Sequence, residues 1–511
     1  MKGNLSKGRI ILLAMVLGFV FIFVYSPHFS YPFPFHIDEW HHISQSIRLG
    51  NYGDYFQMMQ LENARRAPGM EIGFHFFLFL ISWLFNLVST YQFLPAFWAV
   101  ISALVLFFVV YKKTDRNFFL ALLAIIFFGS LKSNTNLTGL WFFTPLTFSI
   151  PLIFLYFYLF SEGVEKQNNK LILASLALMI ILIPTHSISL LFALPALIIY
   201  LIFNFKYVFK NSLLFLTFLI IPIFGVLFYK YILDVPWGQL ISHLAQTLQF
   251  PHGWGVLELK NSPFEIYNWA GYFFALVGVA AIVLSHKTKK YLIYLLWPAT
   301  IIISIIIYRT TGISYLSPYQ RNFYYLAISL PFLSAFGLYT FIILTRKYLQ
   351  RFVFLPPNQS VGAVTINIKV NPKYERLTLN LVTTIIFCVV LILTFANYYS
   401  IPKQLGLYQV IDSDDYQVLT YLSSLPKGKV MSNPFLASAI FPVTGNETVA
   451  DVSFYGDRKI IEEFFLFSEC PRKDEIIKEQ NVRYIISPAP LSCDFKVIYA
   501  QKNNIVYEVV Q

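Results

Sequence analysis

Charge is scarce in this chain. Only 13% of its 511 residues are Asp, Glu, Lys or Arg, while 57% are hydrophobic and 18% aromatic. With roughly half the usual share of charge, a chain this long cannot cover a water-facing surface, and an ordinary soluble globule is excluded. Cysteine is scarcer still, at three residues. That excludes a disulfide-built scaffold and any CxxC metal pattern. The sequence also lacks an internal repeat, a phosphate-cradling P-loop, a dinucleotide-binding fingerprint and an HExxH pair. No cofactor and no metal site are expected.

Long apolar runs are what the chain has instead. They fall near 10–25, 92–111, 118–131, 140–160, 171–184, 188–205, 212–229, 269–285, 291–308, 323–344 and 377–397, and they predict an α-helical polytopic membrane protein of about eleven spans. The first run continues into Tyr25-Ser26-Pro27-His28 with no small-residue cleavage site, so it reads as a retained anchor. Lys2, Lys7 and Arg9 place the N-terminus in the cytoplasm.

The formal charge of +12 suggests a nucleic-acid partner only until its distribution is inspected. Residues 1–397 hold 27 Lys and Arg against 12 Asp and Glu, whereas residues 398–511 hold 11 against 14. The excess belongs to the short connectors between apolar runs, where it marks the inner side of a membrane protein, and no nucleic acid is implied. The connectors agree on one side if the run 69–86 does not cross. That run is predicted to lie in the interface or re-enter, with a twelfth span as the alternative.

Two units follow: a transmembrane module over 1–397 with a first external loop at 26–68, and an extracytoplasmic α/β domain over 398–511. In the tail, 429–432 and 483–487 read as strands, 473–480 as a helix, and 495–499 with 505–510 as a hairpin. Cys470 and Cys493 can pair in an external compartment. Cys388 reads as a small apolar filler. The sequons at Asn136 and Asn446 fall outside, where either can carry a glycan.

Chemistry is expected at Asp38-Glu39, two carboxylates just beyond the first span, since acidic pairs so near hydrocarbon usually serve a site. They open an amphipathic stretch, Trp40 to Leu49, that suits a helix on the membrane surface. Adjacent helical residues diverge by about 100°, so the two have different roles. The plain alternative is a helix cap, with Trp40 as interfacial anchor. Arg65-Arg66-Ala67-Pro68 follows in the same loop and suits a phosphate or phosphodiester, or else snorkels to lipid headgroups. Lys132, His186 and Arg321 are further cations on the external edge. His36, His41 and His42 match the spacing of no specific metal site.

Taken together, the first span, Asp38-Glu39 with its surface helix, the basic-Pro turn before an apolar helix, and the late segment Pro318-Tyr319-Gln320-Arg321-Asn322-Phe323-Tyr324 resemble the GT-C superfamily of membrane glycosyltransferases. The resemblance implies a polyprenyl-phosphate-linked sugar donor, an acceptor on a lipid, glycan or protein, and Asp38 as the first-loop catalytic acid residue with Glu39 beside it. Arg65, Arg66, Lys132, His186 and Arg321 would hold the donor phosphate. Arg66-Ala67-Pro68 is a variant of the family's basic-Pro-Pro turn, with alanine for the first proline. The tail lacks the Trp-Trp-Asp-Tyr-Gly motif of oligosaccharyltransferases, which favours a monosaccharide donor. The rival readings are a surface-polysaccharide polymerase or ligase and a lipid-linked glycan transporter.

Overall fold

The structure is a computed structural model that describes residues 6–50, 71–133, 139–208, 263–312, 319–351, 372–395, 409–452 and 456–509, with a few isolated positions between 211 and 242. The chain opens with α1 (Lys7–Tyr25), α2 (Ile37–Arg48), α3 (Ile72–Ser82), α4 (Leu94–Lys113), α5 (Phe118–Gly129) and α6 (Pro145–Glu165). It continues through α7 (Asn169–Phe203), α8 (Trp269–Leu284), α9 (Leu292–Thr311), α10 (Tyr319–Ser329), α11 (Pro331–Leu349) and α12 (Pro372–Phe395).

Among the described residues, seven helical runs are long and apolar enough to cross a membrane: α1, α4, α6, α7, α9, α12, and α10 joined to α11. The fold class expected from the sequence stands. Helices α3, α5 and α8 are shorter, and the predicted run 212–229 lies largely outside the described residues. At eleven residues α3 is about 16 Å long, too short to cross hydrocarbon unaided. Helix α5 is buried at every position except Phe119, so it is enclosed by protein and does not face lipid.

Helix α7 is two limbs. His186 has non-helical angles (φ −163°, ψ 82°), and contacts with α6 show that the chain turns back there. Ile172 lies against Gly163, Met179 against Tyr156, and Ser189 against Ser149. Tyr200 then returns to the Ser161 carbonyl. The first limb climbs α6 and the second descends it, so the runs expected at 171–184 and 188–205 are both present.

The two ends of the bundle differ. At one end Lys113 pairs with Glu162 and Glu165 on α6, Lys290 pairs with Asp115, and Arg9 lies over the Phe118 ring. The basic connectors before α5 and α9 therefore meet at a common end, as the charge pattern requires. At the other end sit α2, the turn of α7 at His186 and the start of α6. Between the ends, Gly278 on α8 and Gly337 on α11 let two backbones touch. A Cβ on either would overlap a carbonyl of the partner helix.

The tail contains α13 (Ser413–Ser423), β1 (Lys429–Met431), α14 (Pro434–Thr444), α15 (Cys470–Gln480), β2 (Val482–Ser487), β3 (Lys496–Gln501) and β4 (Asn504–Glu508). Strand order is β1-β2-β4-β3, with β1 parallel to β2 and the rest antiparallel. Alternation along the strands divides the sheet. Val430, Tyr484 and Ile486 join the core that runs into the bundle, and Met431 and Ile485 join a second core with Ile476 of α15.

Cys470 and Cys493 are joined in a disulfide. Three expectations are corrected here. Asn446 is buried, with its side-chain oxygen accepting the Gly428 N–H, so it cannot carry a glycan in this fold. Trp40 is buried, donating to the Pro34 carbonyl at 3.0 Å, because α2 is roofed by the tail instead of floating on lipid. Cys388 is exposed on α12 and packs no core. The sequon at Asn136 lies outside the described residues.

Candidate active site

Helix α2 begins in a capping box built from unusual parts. His36 Nδ1 accepts the Asp38 N–H at 3.1 Å, and Glu39 Oε2 accepts the His36 N–H at 3.0 Å. The same Oε2 accepts the Phe35 N–H at 2.8 Å, and Oε1 accepts the Phe143 N–H at 2.7 Å, from the segment entering α6. Glu39 is wholly buried. Both its oxygens are committed to backbone, so it fixes the start of α2 against α6 and does not face a substrate.

Asp38, rotated by one helical step, points the other way, with 44% of its side chain exposed. Its Oδ2 lies 3.3 Å from His36 Nδ1. That nitrogen either accepts the Asp38 N–H or, when charged, donates to the carboxylate. The surroundings of Asp38 are cationic. Desolvation works to raise its pKa, but the charge and hydrogen bond of His36, with Arg321, overcome it and hold the carboxyl well below the usual range. For His36 desolvation is likewise outweighed, by Asp38, and its pKa is raised. Glu39 has no ion pair among the described residues, and burial pushes it up to about 7 against its three backbone hydrogen bonds and the charge of His36.

Arg321 opens α10, and its charge bears on Asp38, His36 and His186. His186, at the turn of α7, is buried with Nδ1 2.8 Å from Ser189 Oγ and 3.3 Å from the Tyr325 hydroxyl. Tyr325 follows Arg321 by one helical turn, on the same face. Arg321 on α10 thus lies within electrostatic reach of both Asp38 on α2 and His186 on α7.

Lys132 does not join them through any contact described here. Its Nζ donates to the Phe264 carbonyl at 3.2 Å and its backbone N–H to Ile266 at 2.8 Å. Phe264 lines an apolar groove of about 630 Å³, with Trp269 and Phe274 around α8, Phe341 on α11 and Ile386 and Val390 on α12. That lining does not include Asp38, Glu39 or Arg321. Arg65 and Arg66 lie outside the described residues.

The tail closes over this end of the bundle. Arg48, at the far end of α2, makes two 2.7 Å bonds to Glu447 and stacks 3.7 Å from the Phe441 ring. The Tyr31 hydroxyl donates to the Ile411 carbonyl at 2.8 Å. Sequence reasoning missed His36 as the capping partner, since histidine is not an ordinary cap, although its position two residues before Asp38 was visible.

No family model and no curated protein matches the sequence. Solved structures match in three dimensions. ArnT from Cupriavidus metallidurans, bound to undecaprenyl phosphate, aligns with a TM-score of 0.56 at 13% identity, covering 98% of each chain. The apo oligosaccharyltransferase of Archaeoglobus fulgidus aligns at 0.55 and 11% identity, over 93% of this chain and 69% of that one. The same organism's oligosaccharyltransferase AglB, in complex with an inhibitory peptide and a dolichol-phosphate, aligns at 0.53 and 11% identity, over 94% and 70%. At such identities the likeness is one of fold: this chain has the fold shared by ArnT and the archaeal oligosaccharyltransferase.

Proposed function

We propose that the chain is an inverting glycosyltransferase that moves a monosaccharide from a polyprenyl-phosphate donor to a hydroxyl or amino group on a lipid, glycan or protein acceptor. The observation that carries this reading is Asp38. It is a half-exposed carboxylate kept ionised among cations, on a helix start that Glu39 fixes from behind. Such a group is ionised and open to an incoming proton; the cations that keep it so also lower its basicity, and it takes the proton as the acceptor atom bonds to the anomeric carbon and becomes acidic.

In the reaction, the acceptor oxygen or nitrogen attacks the anomeric carbon and its proton passes to Asp38. The bond from that carbon to the phosphate oxygen breaks, and the electron pair leaves with polyprenyl phosphate. A single displacement inverts the carbon. Arg321 stabilises the departing phosphate, with Arg65 and Arg66 on the preceding loop as further candidates. His186 has a lesser role beside Arg321. Glu39 is a positioning residue. The groove along α8, α11 and α12 suits an isoprenoid chain, and Lys132 stands where its phosphate end would meet polar atoms. Fold neighbours hold undecaprenyl phosphate and dolichol-phosphate, which supports a lipid-linked donor here. The Cys470–Cys493 disulfide and the basic connectors at the opposite end support an extracytoplasmic site and tail with a cytoplasmic N-terminus.

The test supplies purified full-length protein in nanodiscs with a panel of radiolabelled polyprenyl-phosphate sugars and an envelope extract as acceptor. Release of polyprenyl phosphate coupled to labelled product, with the opposite anomeric configuration by NMR, is the expected result. A protein that moves the donor between leaflets without releasing polyprenyl phosphate would be the rival transporter.

A further inference from the structure

The proposed reaction leaves one cluster unused. His42 on α2, His75 on α3 and Glu71, the residue just before α3, turn one ligand atom each toward a common point, all three within 4.8 Å of one another. His42 Nδ1 is 3.0 Å from His75 Nε2 and 3.9 Å from Glu71 Oε2. Both histidines are buried and Glu71 is half-buried. Glu71 and His75 are four residues apart and so share a helix face, and α2 lays His42 against it.

A hydrogen bond between two neutral imidazoles accounts for the first distance and nothing else. The carboxylate oxygen of Glu71 completes a triangle with them. Ligands at about 2.0–2.1 Å from a common zinc-class ion are separated from one another by roughly 3.0–3.4 Å. The two imidazoles already stand at that spacing, and the carboxylate, 3.9 Å from His42 and within 4.8 Å of His75, reaches it by closing roughly half to one and a half ångströms through side-chain rotation. Two imidazoles and a carboxylate form a three-ligand set with a fourth position open, the donor choice of a borderline cation and not of calcium or magnesium.

We infer that His42, Glu71 and His75 bind one divalent transition cation of the zinc class, between α2 and α3. Asp38 is not among the ligands. It lies one helical turn before His42 on the same face of α2, so the bound ion adds a net positive charge beside the acidic centre. The sequence shows no metal pattern because the ligands are far apart in the chain, at a spacing that matches no local motif.

Metal content tests this separately from transfer activity. Full-length protein in detergent, loaded with zinc and dialysed, should retain about one ion per chain. Cobalt(II) in its place should give the visible d–d absorption of a low-coordinate nitrogen and oxygen site. His75→Ala and Glu71→Gln should each weaken binding more than about tenfold, and His41→Ala, one residue from the cluster on α2, should retain the ion. Zinc should also raise the melting temperature of the wild type and not of Glu71→Gln, which reads the site in a variant that keeps both imidazoles. No retained metal above the detergent blank, or full retention by both ligand variants, would overturn the inference.

Discussion

Helix α6 has a buried acidic group at each end, and the two are handled in opposite ways. At its C-terminal end Glu162 and Glu165 are neutralised by lysine: Lys113, 1% exposed, lies 3.0 and 2.7 Å from them, and Lys166 adds a third contact. Against its N-terminal end packs Glu39 of α2, which has no ion pair among the described residues and accepts three backbone N–H groups, while its neighbour Asp38 faces outward beside His36 and Arg321. The first arrangement spends its charges on each other. The second holds one carboxylate still and leaves the other turned to a half-open, cation-lined space, which is the arrangement chemistry needs.

Neutralising one carboxylate at each end separates the two kinds of charge. Asp38→Asn should lower turnover by about 10²–10⁴-fold, the share general-base catalysis supplies, with expression and melting temperature unchanged. Near-normal release of polyprenyl phosphate by this variant would end the base assignment. Lys113→Met should do the reverse. It leaves buried Glu162 with only the exposed Lys166 and Glu165 partly open to water, and should cost about 3 kcal/mol of stability, read as a fall in melting temperature, while any protein that folds keeps its KM. If Lys113→Met abolished transfer in folded protein, the division between the ends would fail.

Glu39 sharpens the comparison. An amide has one accepting oxygen where the carboxylate has two, so Glu39→Gln must turn an NH2 toward Phe35 and His36 or toward Phe143. That substitution should cost about 1–3 kcal/mol, the penalty for buried groups left unpaired, and lower kcat more than it raises KM, because Asp38 loses its fixed mount. The pH dependence has a definite sign. Burial raises the Glu39 pKa to about 7, above its value in an unfolded chain. Its contribution is therefore full below the ordinary glutamate pKa and lost as pH rises through 7. Wild-type melting should fall between pH 5 and 8 by more than that of Glu39→Gln; equal slopes would mean that Glu39 is ionised throughout.

Much of this was legible in the sequence, and the remainder fails for identifiable reasons. The helical rule that adjacent residues diverge was enough to give Asp38 and Glu39 different roles. Which one turns inward depends on the Phe143 N–H, a partner 104 residues away that no local pattern reports. The turn at His186 was visible as a break between two apolar runs. Its place beside Arg321 was visible only as a common membrane edge. Lys132 shared that edge, yet the segment 263–266 supplies it with carbonyls, and an edge position does not distinguish the two outcomes. The same blindness to long-range partners made Trp40 an interfacial anchor and Asn446 a glycan acceptor. The Pro34 carbonyl takes the indole N–H of the first, and packing within the tail buries the second.

The smallest expected effect concerns that tail. Arg48 and Glu447 form a bidentate pair, but they are unequal: Arg48 is 8% exposed and Glu447 is 42% exposed. Removing the arginine charge leaves a carboxylate that water can solvate. Removing the carboxylate leaves a buried guanidinium with only the Phe441 ring to face. Glu447→Gln should therefore cost more than Arg48→Met, which keeps the stem packed. The difference should be about 1 kcal/mol, and the coupling in a double-mutant cycle should exceed the ~0.2–1 kcal/mol of ordinary exposed pairs. Limited proteolysis of the tail reads the docking directly. Because α2 carries Arg48 at one end and Asp38 at the other, a tail that only roofs the helix should loosen in Glu447→Gln without changing KM for the acceptor. A rise in KM for the acceptor alone would instead make the tail part of acceptor recognition, and would extend the working end of the bundle beyond the membrane helices.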